Sequence, residues 1–237
     1  MSTTARANRT PSRRIVVAVA VAAALAVAGV LIALSARGGT DGDAGRSIDP
    51  ALVAEVTAAV GGVPQSGATL GRPSAPVVVT EYADLQCPFC AQAAATIVPD
   101  VVRRYVRPGV ARLEFAPLAF IGGDSTRGAH AAVAAGSQDR LWQYVELLYR
   151  LQGEENAGWL DDDLVDAAAR ALDLDVAAFD AALHAGSTQA ALDEAARTAT
   201  TDGVSSTPAF VVTGPKGRRV VTGADGAAVT AAIEAVK

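Results

Sequence analysis

The chain has 237 residues, 51% of them hydrophobic and 19% charged, with a formal net charge of −5. That length fits one domain, or one domain with an insertion. The apolar content excludes a disordered chain, the acidic balance offers no basic footprint for nucleic acid, and two cysteines with two histidines exclude a cysteine-rich scaffold or a Cys₄ zinc site.

The charge is spread unevenly. Residues 1–14 hold Arg6, Arg9, Arg13 and Arg14 and no acid, which leaves 16 basic against 25 acidic residues, net −9, for the remainder. Residues 15–34 contain only Ile, Val, Ala, Leu and one Gly, and ~20 such residues are enough to span a bilayer as a helix. The positive-inside rule keeps the arginines cytoplasmic and puts the body outside. The run is longer than the ~7–15 apolar residues of a signal-peptide core. The expectation is therefore a basic cytoplasmic tail (1–14) and a transmembrane signal anchor (15–34) in the cell membrane. Cleavage near Ala33 to Ala36, with secretion of the body, is the alternative. Either route delivers the body to an oxidising compartment. Residues 35–66 open on a Gly/Asp/Ser/Thr-rich stretch that reads as a tether. A short helix follows Asp49-Pro50, a cap and a first helical position.

The rest, 67–237, reads as one α/β domain. Val77 to Tyr82 is β-branched and apolar and predicts a buried strand. A helix should open at Pro88 and run to Tyr105, kinked by Pro99. Residues 111–116 alternate and predict a second strand. From about 121 to 201 no strand signal appears, and apolar residues recur at helical spacing (Leu141, Tyr144, Val145, Leu148; then Leu164, Ala168, Leu172). Strand signals return at 209–213. The turn Gly214-Pro215-Lys216-Gly217 leads into a partner strand at 219–222, and 225–236 closes the chain as a helix. The order is β-α-β, an all-helical insertion, then β-β-α.

Both cysteines sit two residues apart, in Cys87-Pro88-Phe89-Cys90, between a strand and a helix. At a helix N-terminus, unpaired N–H groups and the macrodipole favour an anion, so Cys87 should have a lowered pKa and be the reactive thiolate. Cys90, one turn on, is placed to resolve it. A zinc site would need two further ligands, and His130 and His184 lie at no metal-type spacing; no metal is expected. A purely structural disulfide would close too small a loop to constrain the unfolded chain much. A redox pair explains the motif best.

The segment from Glu81 to Cys90, Glu-Tyr-Ala-Asp-Leu-Gln-Cys-Pro-Phe-Cys, resembles the active-site segment of DsbA-like thiol-disulfide oxidoreductases. Ser206-Thr207-Pro208-Ala209-Phe210 resembles the cis-proline loop of that family. The likeness runs from about Leu70 to the C-terminus. It implies a thioredoxin-like fold with a helical insertion and a Pro208 that is cis and faces the Cys87–Cys90 pair. Ser206 and Thr207, with Pro88 and Phe89 between the cysteines, become candidates for substrate contact, the first two through backbone pairing with an extended chain. Glu81, six residues before Cys87, stands where the family carries an acid, and a buried carboxyl there could carry protons. Asp84 is a second such candidate or a loop cap. Phe89 departs from strongly oxidising relatives, which often carry histidine between the cysteines, and cannot supply an imidazole donor to Cys87. His130 and the aromatics Trp142, Tyr144 and Tyr149 read as structural.

The resemblance implies an oxidase for exported proteins bearing thiols, needing no organic or metal cofactor and reoxidised by a quinone-linked membrane partner. A reductase or isomerase of the same compartment, and a thioredoxin-like binding module without turnover, are the alternatives.

Overall fold

The computed structural model describes residues 46–237. The basic tail and the apolar run at 15–34 lie outside the described residues, and among those described no helix is long and apolar enough to cross a membrane. The elements are α1 (Pro50–Val60), β1 (Gln65–Ser66), β2 (Thr69–Leu70), β3 (Val77–Ala83), α2 (Pro88–Val101) with a π-helical turn at Val102–Val106, and β4 (Ala111–Pro117). Five helices follow: α3 (Gly123–Gly136), α4 (Leu141–Arg150), α5 (Asp162–Ala171), α6 (Val176–Leu183) and α7 (Gly186–Asp202). β5 (Ala209–Gly214), β6 (Gly217–Thr222) and α8 (Gly226–Val236) close the chain.

The strands make one six-stranded sheet in the order β1-β2-β4-β3-β5-β6. β3 and β4 are parallel, as a strand-helix-strand unit requires, and the other neighbours are antiparallel. Side-chain alternation gives β3 two different faces. Val77, Val79, Glu81 and Ala83 point one way, and the three apolar ones join Leu113, Phe115, Phe210 and Val212 in the main core with α2, α4 and α8. Tyr82 points the other way, into a smaller cluster with Leu118, Ala209, Val211 and Ala199 of α7. The strand is central and buried on both faces, which is why its sequence is nearly continuous in β-branched and apolar residues.

Aspartates cap four of the helices. Asp49, Asp161, Asp175 and Asp225 each cap a helix through a side-chain oxygen that accepts a backbone N–H two or three residues on, a contact worth about 1 kcal/mol. The expected disturbance in α2 falls just after Pro99, where hydrogen bonding widens to the i→i+5 pattern: Arg107 N–H donates to Val102 O at 2.9 Å.

Two features go beyond the sequence signals. The β1–β2 hairpin extends the sheet beside β4, pairing Thr69 with Glu114 and Leu70 with Leu113; strands of two residues carry no periodicity to read. α1, expected within a tether, packs its buried Val56 and Val60 into the main core. α4 is buried around most of its circumference, Leu141 to Tyr149 without a break. It is the central pillar of the insertion, and its last turn reaches the loop that follows β3.

Candidate active site

Cys87 occupies the N-cap position of α2 with an extended backbone (φ −72°, ψ 119°), and Pro88 is the first helical residue. Its N–H donates to Asp84 O at 3.0 Å, and its own carbonyl accepts from Cys90 and Ala91 N–H at 3.0 and 3.1 Å. Proline suits this place because the first helical N–H has no intrahelical partner. Both cysteines are free thiols here.

The two sulfurs differ sharply. The Cys87 thiol is pulled down to about 6, chiefly by a hydrogen bond from the Cys90 thiol, then by the Thr207 side chain and the Cys90 and Phe89 N–H groups; partial burial works against them. The Thr207 carbonyl, 3.5 Å from Cys87 Sγ, can only accept from the thiol and so favours the neutral form. Cys90 is fully buried, and burial, then the partner sulfur, pushes its thiol far up. A single turn of helix thus holds one sulfur that ionises below neutrality and one that keeps its proton.

β5 brings the second motif to the same place. The Thr207–Pro208 peptide is cis, Pro208 is buried, and Thr207 is half-buried against Cys87. Ser206 and Pro88 are both exposed. Phe89 presents 62% of its surface to solvent, and Phe120, from the loop after β4, presents 56%.

Glu81 lies on the core face of β3, 1% exposed, and its Oε1 has no hydrogen-bond partner. Burial, then repulsion from Glu146, pushes it up to about 8. Asp84 is different. Fully buried, it accepts from Gln86 N–H (2.8 Å), Ser125 Oγ–H (2.6 Å), Phe120 N–H (2.7 Å) and Ile121 N–H (3.1 Å). Of its two expected roles the geometry favours the cap: these contacts tie the Cys87 loop to the β4–α3 loop and the start of α3. Gly128 allows that closeness, since a Cβ there would lie 2.6 Å from Leu160 and 2.9 Å from Leu85. Asp84→Ala should leave four donors unsatisfied and cost roughly 3 kcal/mol or more. An unfolding midpoint within experimental error of the unaltered chain would refute that account.

Sequence reasoning missed the contribution of α4 and the residues just after it. Tyr149 Oη–H donates to Asp84 O at 3.3 Å, and Gln152 Nε2–H donates to Leu85 O at 2.8 Å and Cys87 O at 3.2 Å. Glu146, also buried, is pushed up to about 7 by burial, with Arg150 opposing. The only available signal was a glutamate among the apolar residues of a helix that proved to be buried. Trp142 and Tyr144 are core residues, with indole or hydroxyl donors bonded to backbone carbonyls. His130 has its ring nitrogens at 2.8 Å from Thr126 O and 3.2 Å from Gln189 Oε1 and makes no contact with either cysteine.

The family model described as thioredoxin matches residues 65–235. The chain belongs to the thioredoxin family. Among solved structures, the oxidised BdbD of Bacillus subtilis superposes with a TM-score of 0.63 at 21% identity, covering 73% of this chain and 95% of that one. The DsbA of Chlamydia trachomatis superposes with a TM-score of 0.61 at 18% identity, covering 70% and 89%. At such identities these likenesses establish the thioredoxin-like fold with its helical insertion. A probable disulfide bond formation protein D of Bacillus cereus is 34% identical over 99 residues, 41% of this chain and 46% of that protein. The chain thus spans about half the length of the curated relatives of that name.

Proposed function

We propose that this thioredoxin-family chain is a thiol-disulfide oxidoreductase, tethered to the cell membrane by residues 15–34, that forms disulfides in exported proteins through Cys87 and Cys90. The observation that carries the reading is the asymmetry of the pair: Cys87 at the helix N-terminus drawn down to about 6, Cys90 sealed and driven up.

In the oxidised protein a substrate thiolate attacks Cys87 Sγ. The Cys87–Cys90 bond breaks, its electron pair goes to Cys90, and Cys90 takes up a proton. A second substrate thiol, having lost its proton to water, attacks the mixed disulfide and expels Cys87 as a thiolate. The substrate has lost two electrons and the protein has gained them. A leaving thiol of low pKa leaves faster and makes the pair more oxidising. Thr207 and Ser206, beside Pro208, offer backbone for pairing with an extended substrate. Exposed Phe89, set by Pro88, offers apolar contact, and Glu81 serves the Cys90 proton. The dithiol product requires an oxidant, and the resemblance to DsbA-like proteins points to a quinone-linked membrane partner.

Phe89 favours a second reading. It gives Cys87 no cationic donor, and a milder pair would act as a reductase in the same compartment. The two part on the reduction potential of the full chain in detergent, titrated in glutathione buffers, with alkylation reporting the redox state. The expected value lies at roughly −120 to −180 mV; roughly −250 mV or lower would assign the reductase. Absence of any reversible transition would leave only a binding module. In the reduced protein, iodoacetamide should label Cys87 with a midpoint near pH 6 and leave Cys90 unlabelled at neutral pH. Equal labelling of the two would refute the asymmetry.

A further inference from the structure

Cys90 is sealed from water, so its proton needs a route. Glu81 serves it from inside the core, but Glu81 is itself 1% exposed and has an oxygen without a partner. Glu146 has no part in the steps above. It projects from α4, the helix whose Tyr149 reaches the loop before Cys87, and 10% of its side chain is exposed. Its ionic partner Arg150, 3.7 Å away and one turn on, also pairs with Glu55 of α1 at 2.9 Å. Arg150 and Glu55 are 38% and 60% exposed. Exposure therefore rises from Glu81 through Glu146 to Arg150 and Glu55.

The charged and titratable neighbours fit a relay. Glu81, on the core face of β3, feels the charge of Glu146 of α4 and acts in turn on Cys90 of α2 and Tyr149 of α4; Glu146 feels Arg150 and Glu55. The Tyr149 hydroxyl is held by Asp84 O and is pushed well above its usual range by burial, so it keeps its proton. Two buried carboxyls that repel each other resist ionising together. Such a pair titrates as a unit, holding one proton between its members across a span of pH.

Resting on the redox reading above, we infer that Glu146 is a positioning residue acting through Glu81, the outer member of a carboxyl pair that moves the Cys90 proton between the buried redox pair and solvent. When the Cys87–Cys90 bond breaks, the Cys90 thiolate takes the Glu81 proton. Glu81 regains one from Glu146, and Glu146 takes one from water beside Arg150. When Cys90 closes on a Cys87 mixed disulfide, its proton leaves by the same carboxyls in reverse order, and the thiol carried by Cys87 departs with the electron pair.

The test is the rate at which Cys90 closes on a Cys87–glutathione mixed disulfide. It is read on the reduced full chain in detergent after mixing with oxidised glutathione, by acid quench and alkylation, from pH 5 to 9. The unaltered chain should show a midpoint near the Glu81 value of about 8. Glu146→Gln should move it down by about 1 pH unit, because a repelling charge is gone, and lower the limiting rate several-fold, because the outer station is gone. The Cys87 alkylation midpoint should stay near pH 6, and Glu146→Asp should recover part of the rate. A Glu146→Gln profile that superimposes on the unaltered one, while Glu81→Gln alters it, overturns the inference and leaves the redox reading intact. Should Glu146→Gln not fold, Glu146→Asp decides: a displaced profile supports the relay and an unchanged one refutes it. Exchange that survives Cys87→Ser would remove the redox reading, and the relay with it.

Discussion

Cys87→Ala should reduce thiol-disulfide exchange by roughly 10³-fold or more, the order expected when the group that forms the covalent intermediate is removed. Cys90→Ala should behave differently. Its Cys87 can still be attacked or attack, but nothing inside the protein resolves the adduct, so the variant should accumulate mixed disulfides visible as mass shifts. The hydrogen bond from the Cys90 thiol is also the largest influence lowering Cys87. The alkylation midpoint of Cys87 should therefore rise from about 6 in Cys90→Ala, while the helix N-terminus and Thr207 keep it below an ordinary thiol. Accumulation of adducts on Cys90 in the Cys87→Ala variant would reverse the assignment of attacking and resolving thiols.

The parts of this site legible in the sequence are those encoded by local rules. Pro88 after a β-branched run marks where a helix begins, and two cysteines one turn apart stand at that point. Pro208 ahead of Ala209-Phe210-Val211 marks the start of β5. The long register of β3, from Val77 opposite Ala111 to Ala83 opposite Pro117, follows from an apolar stretch and an alternating one of equal length. What escaped reading depends on tertiary packing. Glu146 belongs to a helix whose facing is decided by the elements that enclose it, and Gln152, just beyond that helix, meets Cys87 O across 65 residues of chain. Asp84 could be read as a cap or a proton carrier, and only its donors from the loop at Phe120 and Ile121 and from Ser125 favour the cap. Residues 65–70 are held in place through Gln65 as much as through strand pairing: its side chain accepts from Trp142 N–H at 2.9 Å and donates to Gln143 Oε1 at 2.8 Å, both on α4. No periodicity announces such contacts.

Glu81→Gln should make the protein less stable at pH 4 and more stable at pH 8, so that the two stability curves cross. In the unfolded chain Glu81 ionises near 4.5, and in the folded protein it holds its proton to about 8. Below pH 4.5 both states are protonated and the carboxyl contributes nothing to the pH dependence. Between the two values the unfolded chain sheds a proton that the folded one retains, so stability falls as pH rises and levels off above pH 8. Over that window the loss is on the order of 4 kcal/mol, and at 1% exposure solvent screening does little to reduce it. Glu146 adds a slope of the same sign up to about pH 7, and that slope remains in the variant. A glutamine in place of the carboxyl removes the larger slope but buries an amide with no donor or acceptor prepared for it, at about 1–3 kcal/mol. That cost dominates at pH 4, where the acid was neutral anyway. The relieved ionisation dominates at pH 8. Urea unfolding of the reduced full chain and the variant, across pH 4 to 9, reads both ends. Parallel curves would mean that folded Glu81 holds no extra proton, and the carboxyl would then be unable to supply one to Cys90.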